Sequence, residues 1–471
     1  MTMIIPDSEA VPHPLSRSDD FGTVFRWRGR FLRELNRSIQ REFEDFWASG
    51  LWQGLVEKGW APATRITSLQ TARGGTVLEH DEIPFATYPV EWSFSMIKDA
   101  GLHVLKVAEH ASDHGYELKD AHGYNIVFSG CAPLFVDIGS FVRRSPDSVG
   151  WVAEREFRNF FLTTLQIWRS QGAFLARRLI LGGEVISDDA ALRLRFPMLR
   201  FPPKRVSRML ARILGMYVFA QQASEKEMVE KHGRVLGGAF NWMRRARMPP
   251  FKSTRVQQLR RTIELIEPER RHAARCSRDR ADHNAQSAAR AEKILDLVGS
   301  LRVRTVMNIG GSENEFSLLL SKLPAVDRVL SLDADHRALD LAYRRLRGGH
   351  PKIHTISSDV MAPLPSVLGI PQADRLRVDA VVVLGQSHLL LLDQKYNVHA
   401  VLDRLSALSS GFLLFEFMPS ELWAEHGASP LPEWHTRGWF REAFARHCKE
   451  IQEFEMEENR ILFLGRTIDS Q

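Results

Sequence analysis

The chain has 471 residues, a length that predicts about three structural units rather than one hydrophobic core. Its net charge is +6, and 44% of its residues are hydrophobic, as in globular proteins. No apolar stretch reaches the length of about 18 residues that a transmembrane helix needs, and no secretory signal is recognised. The three cysteines, Cys131, Cys276 and Cys448, are far apart, which argues against a disulfide framework or a zinc site. A cytoplasmic protein with reduced thiols is expected.

The first part of the chain mixes helical and strand-like patterns. Residues 1–20 are predicted to be a disordered arm. Apolar residues at steps of three and four in residues 25–58 predict one or two amphipathic helices. Two short β-like pieces, ATRITSL and GTVLEHD, come next, and residues 91–114 are predicted to be a helix.

Residues 118–141 read LKDAHGYNIVFSGCAPLFVDIGSF and place Asp120, Asn125 and Asp137 at a spacing used in phosphoryl transfer. The stretch resembles the catalytic loop and metal-binding aspartate of the kinases. This resemblance implies that Asp120 orients an acceptor hydroxyl, while Asn125 and Asp137 hold Mg²⁺ beside a nucleotide.

No glycine-rich loop and no strand lysine precede this stretch, and both are needed to hold phosphates. Residues 21–150 are therefore predicted to form an α+β kinase-like region without transfer activity. Two alternatives stay open at this point: an active phosphotransferase, and ordinary turn chemistry, since Asp and Asn are common turn residues.

Residues 151–290 are predicted to be a mostly helical segment that completes the N-terminal domain, with breaks at two Pro-Pro pairs. Its most basic part, residues 244–280, holds twelve Lys/Arg and four Asp/Glu. A solvated helical surface is favoured there, and nucleic acid is not expected as a partner, because no aromatic residue follows Phe251 to interleave with the arginines.

From residue 291 to residue 471 helical patterns alternate with buried-looking strands, which predicts an α/β domain with a doubly wound parallel sheet. Ligands bind such sheets outside the carboxyl ends of the strands. The polar residues and glycines predicted at those ends are Asn308, Gly310, Gly311, Ser312, Asp333, Asp359 and Gly385. Glycine permits close approach of the backbone to a ligand, and an acid after the second strand suits ribose hydroxyls.

The segments VMNIGGSENEF, LSLDAD and VVVLGQSH, in this order, resemble the class I S-adenosylmethionine-dependent methyltransferases over roughly residues 300–420. The resemblance implies a Rossmann-like fold and S-adenosylmethionine as cofactor. It implies that Asp333 binds the ribose and Asp359 the adenine side. An acid is usual at the position of Asn308. His388 is the candidate catalytic base because imidazole titrates near neutral pH, and Glu416 is the second candidate.

Two further segments, YPVEWSF at 88–94 and the run from Lys119 to Phe141, resemble a group of bacterial two-part methyltransferases often found near nodulation or surface-polysaccharide genes. The implied function is methyl transfer to an unidentified acceptor, with the kinase-like part positioning it. A small molecule or a glycan or lipid-linked hydroxyl is favoured. A phosphotransferase with an accessory Rossmann domain and a non-catalytic scaffold are the alternatives.

Overall fold

The structure is a computed structural model that describes residues 3–13, 16, 20–145, 150–182, 254–268, 284–310, 315–363, 370–419, 432–456 and 460–468. It is a mixed α/β protein, with small antiparallel sheets in the first part of the chain and one large mixed sheet in the last part.

A five-stranded antiparallel sheet in the order β2-β3-β4-β7-β5 opens the chain. Its strands are β2 (Val11–Pro12), β3 (Gly22–Trp27), β4 (Arg30–Leu35), β5 (Thr64–Ile66) and β7 (Val77–His80). Beside it, β1 (Ile4–Ile5) pairs in parallel with β6 (Gln70–Thr71). The described residues of the predicted disordered arm therefore include paired strands.

The apolar spacing predicts helix over residues 25–58. The structure has a 3-10 turn (Arg37–Ile39) followed by α1 (Gln40–Ala48) and α2 (Leu51–Glu57) in this stretch. The first third of that prediction is wrong, because β3 and β4 form a hairpin there. Arg28 (φ 49°) and Gly29 (φ 77°) form its two-residue turn. Positive φ at both central residues is the geometry that matches the twist of a hairpin.

The predicted helix before the polar stretch is α3 (Phe94–Asp113), capped by the Ser93 side chain. Two short antiparallel pairs follow, and the second is a hairpin that turns at Gly130. The strands of these pairs are β8 (Tyr116–Leu118), β9 (Ile126–Ser129), β10 (Ala132–Phe135) and β11 (Phe141–Arg143). The kinase-like assignment of this part stays a prediction.

The described residues of the predicted helical segment do form helices. They are α4 (Glu154–Phe157), a π-helical turn (Arg158–Thr163), α5 (Thr164–Gln171), α6 (Ala173–Gly182) and α7 (Thr254–Glu264). Gly172, at φ 93°, separates α5 from α6. In the basic segment, of which only residues 254–268 are described, Arg260 pairs with Glu109 of α3.

The last part of the chain folds around a seven-stranded sheet in the order β14-β13-β12-β15-β16-β18-β17. The first five of these strands are parallel, and β18 is antiparallel to both neighbours. The strands are β12 (Thr305–Ile309), β13 (Arg328–Asp333), β14 (Ile353–Ser357), β15 (Val378–Val383), β16 (Ser409–Phe417), β17 (Cys448–Met456) and β18 (Arg460–Thr467). The predicted doubly wound sheet is thus present, with an antiparallel edge.

Helices cover both faces of this sheet. They are α8 (Asn284–Ser300), α9 (Glu315–Ser321), α10 (His336–Leu346), α11 (Gln372–Leu376), α12 (Val398–Ala407) and α13 (Arg437–Phe444). One face packs in a core that is continuous with the N-terminal part, where Val306 and Val329 share a cluster with Trp92 and Ala100. The other face packs in a separate core around Val381 and Phe415.

The segment YPVEWSF lies at the junction between the two parts of the chain. Its Ser93 hydroxyl donates to Asp340 of α10 at 2.8 Å, and the Ser95 backbone N–H donates to the same oxygen at 2.6 Å. Glu91 pairs with Arg375 of α11, whose guanidinium lies 4.7 Å from the centroid of the Tyr88 ring. A buried carboxylate is stable only with such partners, so this motif holds the two parts together.

Among the described residues, no helix combines the length and the apolar character that crossing a bilayer requires. Cys131 and Cys448 are buried free thiols, and Cys276 lies outside the described residues.

Candidate active site

The carboxyl edge of the seven-stranded sheet contains a topological switch point at β12. From β12 the chain builds β13 and β14 on one side and then returns to build β15 on the other. A crevice opens where the strand order reverses in this way, and ligands of doubly wound sheets bind there. The residues that follow β12, β13, β14 and β15 are therefore the candidate ligand contacts.

Gly310 ends β12 with φ 79°, and its N–H donates to the Leu332 carbonyl at 3.0 Å. A Cβ at this position would lie only 2.1 Å from the side-chain amide of Gln386, in the loop after β15. The positive φ favours glycine at this position, and a larger residue would also displace the Gln386 amide. Gly311 and Ser312, the next predicted contacts, lie outside the described residues.

Asp333 ends β13 and is 9% exposed. Its Oδ1 accepts the N–H of Asp335 at 2.8 Å. Burial raises the pKa of Asp333 to about 6, and the nearby Asp335 carboxylate adds to the shift. An ionised acid that is held in so dry a place gains from any ligand that donates hydrogen bonds to it.

Asp359 follows β14 and turns its carboxylate towards its own loop, accepting the N–H of Met361 at 2.9 Å. The neighbouring Ser358 exchanges hydrogen bonds with Gln372. Asn308 is buried within β12, and its amide donates to Ser317 of α9 at 3.0 Å. This contact ties Asn308 to the helix that follows its own strand.

His388 and Glu416, the candidate bases, differ in their surroundings. His388 is buried beyond β15, its ring 6.0 Å from that of His435, and burial lowers the pKa of His388 to about 4, helped by His435 and Arg460. Its imidazole is therefore neutral at neutral pH.

Glu416 of β16 is fully buried, and its carboxylate lies 3.1 Å from Arg460 and 3.6 Å from Arg290 of α8. It also accepts the N–H of Gly385 at 2.8 Å. Two arginines and a backbone donor compensate the charge of this buried carboxylate. These contacts favour a role for Glu416 in fixing the Gly385 turn.

A cavity of about 490 Å³ adjoins the loops after β15 and β16. Its polar and aromatic lining comes from Lys395, Tyr396, Asn397, His399, Trp434 and Trp439. Trp434 is 47% exposed, and its ring centroid lies 4.7 Å from that of Trp439. His435, next to Trp434, connects this cavity to His388 through ring contacts.

The polar residues of the N-terminal part also converge, as their spacing predicts. Asn125 donates to Asp120 at 2.6 Å. The Ser140 hydroxyl lies between the two carboxylates, 2.5 Å from Asp120 and 2.7 Å from Asp137. Arg33 of β4 reaches Asp137 at 3.5 Å. We refer to these five residues as the Asp120 cluster.

In the part of the chain that the structure describes, no group of three or more His, Cys, Asp or Glu side chains is arranged to hold a metal ion. The predicted Mg²⁺ ligands Asn125 and Asp137 stay a prediction.

Comparison with known proteins gives one curated relative at low identity. The chain is 24% identical over 425 residues to the nodulation protein NoeA of Rhizobium meliloti (strain 1021), covering 86% of this chain and 84% of that protein. No family model matches the chain.

Solved structures similar to this one include several methyltransferases. The N-methyltransferase NodS of Bradyrhizobium japonicum WM9 is 17% identical, with a TM-score of 0.32 over 40% of this chain and 100% of that chain. An O-methyltransferase family protein of Burkholderia thailandensis is 15% identical, with a TM-score of 0.28 over 40% of this chain and 61% of that chain.

The sequence did not reveal the residues that form hydrogen bonds and ion pairs with the predicted acidic residues. Ser140 and Arg33 complete the Asp120 cluster, and Arg290 and Arg460 neutralise Glu416. Arg33 could have been found from the alternation of its strand, which directs Leu32 and Arg33 to opposite faces. The two arginines around Glu416 come from elements far apart in sequence, and no local pattern connects them.

Proposed function

We propose that this chain is an S-adenosylmethionine-dependent methyltransferase whose cofactor lies at the carboxyl edge of the seven-stranded sheet. The observation that carries the proposal is Asp333, a buried acid with a raised pKa at the end of β13, beside the switch point of the sheet. A ligand with two adjacent hydroxyl groups, such as a ribose, can donate further hydrogen bonds to this carboxylate in its dry environment.

The residues present fit such a cofactor. Gly310 follows β12 with a positive φ, so the chain turns at the carboxyl edge of the sheet without a side chain at this position. Asp359 lies one strand further along, at the end of β14, where the base would extend. The bound cofactor supplies an electrophilic methyl group on a sulfonium, and methyl transfer from it is an in-line displacement.

His388 is the group that we propose to accept the acceptor's proton. With its pKa lowered to about 4 by burial, the imidazole is neutral at neutral pH, which is the form in which an imidazole can act as a base. A pKa so far below neutrality makes it a weak base, so its contribution would fall at the lower end of the ~100-fold to 10,000-fold range for general bases. The Arg460 and Arg290 partners of Glu416 make that residue the weaker candidate.

The acceptor is proposed to be a hydroxyl group of a small molecule or of a glycan. The cavity near the loops after β15 and β16 exposes Trp434 together with Lys395, Asn397 and His399, which combines a flat apolar surface with hydrogen-bonding groups. Binding pockets for small ligands have this composition. NoeA is named a nodulation protein, and a glycan acceptor is compatible with that similarity.

The Asp120 cluster is proposed to be structural. The Ser140 hydroxyl lies within hydrogen-bond distance of both carboxylates, at the place where a bridging cation would have to bind. Arg33 compensates part of the remaining charge. In this proposal the N-terminal part supports the methyltransferase site and does not transfer phosphate.

Calorimetric titration of the full-length protein with S-adenosylhomocysteine, the product form of the cofactor, tests the proposal. Binding with a stoichiometry of one is expected. Absence of binding at about millimolar ligand, a concentration that detects interactions as weak as ~4 kcal/mol, would overturn it. A parallel titration with Mg²⁺ and ATP tests the phosphotransferase alternative, for which no binding is expected.

A further inference from the structure

Helix α6, which belongs to the N-terminal part, reaches the carboxyl edge of the C-terminal sheet. Its Arg177 donates through Nη2 to the hydroxyl of Ser357, the last residue of β14. The same nitrogen lies 3.3 Å from the Trp92 carbonyl in the YPVEWSF segment. A cationic side chain from outside the sheet is therefore fixed at the strand end that precedes Asp359.

Aromatic contacts hold Arg177 between β14 and the start of α10. Its guanidinium lies 5.4 Å from the Trp168 ring centroid, and that ring lies 5.9 Å from His336. His336 begins α10 and follows Asp333 by three residues. Burial lowers the pKa of His336, and the nearby Arg177 charge lowers it further. Arg177 thus stands beside the two strand ends that carry Asp333 and Asp359.

One nitrogen of this guanidinium is an unsatisfied donor within the part of the chain that the structure describes. The Nε atom of Arg177 is buried and has no hydrogen-bond acceptor among the described residues. Glu91 lies close enough to affect Arg177, but its carboxylate pairs with Arg375. A buried N–H donor that is left unsatisfied is destabilising, and such groups are rare in folded proteins unless a ligand or water satisfies them.

We propose that Arg177 is a positioning residue for the nucleoside end of the cofactor and that its Nε donates to a ring nitrogen of the purine. This inference rests on the proposed function, since it assigns a ligand to the same crevice. It goes further in making the N-terminal part a component of the cofactor site. An arginine suits this task, because its planar guanidinium presents several donors in a fixed geometry.

Binding of S-adenosylhomocysteine to full-length variants tests the role of Arg177. Arg177→Met keeps the length and apolar stem of the side chain and removes its donors. The dissociation constant should rise about tenfold or more, the range expected for a hydrogen bond from a charged group. Arg178→Met is the matched control, because Arg178 is exposed on the same helix and contacts Phe174. Its affinity should stay within about twofold of wild type.

A second measurement separates direct contact from an indirect effect on the fold. Analogues of S-adenosylhomocysteine in which N3 or N7 of the base is replaced by carbon remove one acceptor at a time. One of them should bind wild type about tenfold more weakly than the parent ligand, and Arg177→Met should bind this analogue and the parent equally. If Arg177→Met does not fold, Arg177→Lys, which keeps the charge, replaces it and should show the same loss of discrimination.

The outcomes distinguish the inference from the proposed function. If wild type does not bind S-adenosylhomocysteine, both fail. If wild type binds and the Arg177 variant binds equally well, only the assignment of Arg177 is overturned. If the variant binds weakly but still discriminates between the analogues as wild type does, the direct contact with the base is overturned.

Discussion

The Asp120 cluster and the carboxyl edge of the large sheet both gather acids at strand ends, but they differ in what satisfies those acids. In the cluster, the Asn125 amide donates to Asp120 and the Gly139 N–H donates to Asp137, while the Ser140 hydroxyl, which has one proton, lies within hydrogen-bond distance of both carboxylates. At the sheet edge, Asp333 is buried with a raised pKa. Acids that the protein itself satisfies contribute to the fold, whereas an acid that burial destabilises is a candidate for ligand binding.

The largest effect is expected from removing Asp333. Asp333→Ala deletes the acceptor for two ribose hydroxyls, each bond to a charged group being worth about 1.5–3 kcal/mol. The affinity for S-adenosylhomocysteine should fall by about 100-fold or more, measured by calorimetry. An affinity within a few-fold of wild type would place the ligand elsewhere and remove the contrast between the two regions.

Asp137→Ala should act on stability and not on cofactor binding. The Arg33 side chain is only 12% exposed, and without Asp137 its charge is left poorly compensated. The expected loss is about 2–4 kcal/mol in the free energy of unfolding, measured by urea denaturation. The double variant Arg33→Met/Asp137→Ala should recover part of that loss, because both members of the pair are gone. Equal losses in the single and double variants would contradict this account.

Ligand affinity should depend on pH through Asp333. Its pKa in the folded protein is about 6, above the usual value for an aspartate, so the ionised form that accepts hydrogen bonds is lost as pH falls through this region. Affinity should fall by up to about tenfold per pH unit below that point. The Asp333→Asn variant binds weakly, so its affinity is measured by competition assay. That affinity should not change with pH.

The raised pKa of Asp333 also makes the stability of the fold depend on pH. Because the pKa of Asp333 is higher in the folded than in the unfolded protein, protonated Asp333 stabilises the fold. This contribution is fully present below the pKa of the unfolded state and is lost as pH rises through about 6. Asp333→Asn should therefore be more stable than wild type at neutral pH, by about 1–3 kcal/mol, and equal or less stable at acidic pH. A variant less stable at neutral pH would show that the ionised carboxylate has partners that this interpretation leaves out.

The smallest effect is expected for Asp120→Ala. Because the Asp120 cluster is proposed to be structural, cofactor affinity should stay within about twofold of wild type. Incubation with Mg²⁺, ATP and small hydroxyl compounds should give no phosphorylation in either protein. Phosphorylation by wild type that disappears in Asp120→Ala would exchange the roles of the two regions.

The sequence predicted the large sheet well because each of its strands is a local pattern. Short apolar runs such as those ending at Ile309 and Val383 are bounded by glycine or acid residues, and the structure keeps them as buried parallel strands. The convergence of Asp120, Asn125 and Asp137 was also predictable from spacing, since one hairpin and two turns connect them.

The sequence failed where two patterns compete or where the partners are distant. Phe31 and Leu32 fit a helical spacing with earlier apolar residues, yet the Arg28–Gly29 turn makes the segment a hairpin. The environment of Glu416 depends on Arg290 and Arg460, which only the folded sheet brings to it. Likewise, no periodicity in α6 could reveal that Arg177 lies beside Ser357, 180 positions further along the chain.

The contact of Asp340 with Ser93 and Ser95 limits how the two halves of the chain can evolve. Exchange of either half for that of a distant homologue would leave this carboxylate, which is 6% exposed, facing side chains that did not evolve with it. A buried aspartate that loses such donors strongly destabilises the folded protein. Recombination between the two halves should therefore be selected against, and positions 93, 95 and 340 should change together, when they change at all, across descendants of this gene.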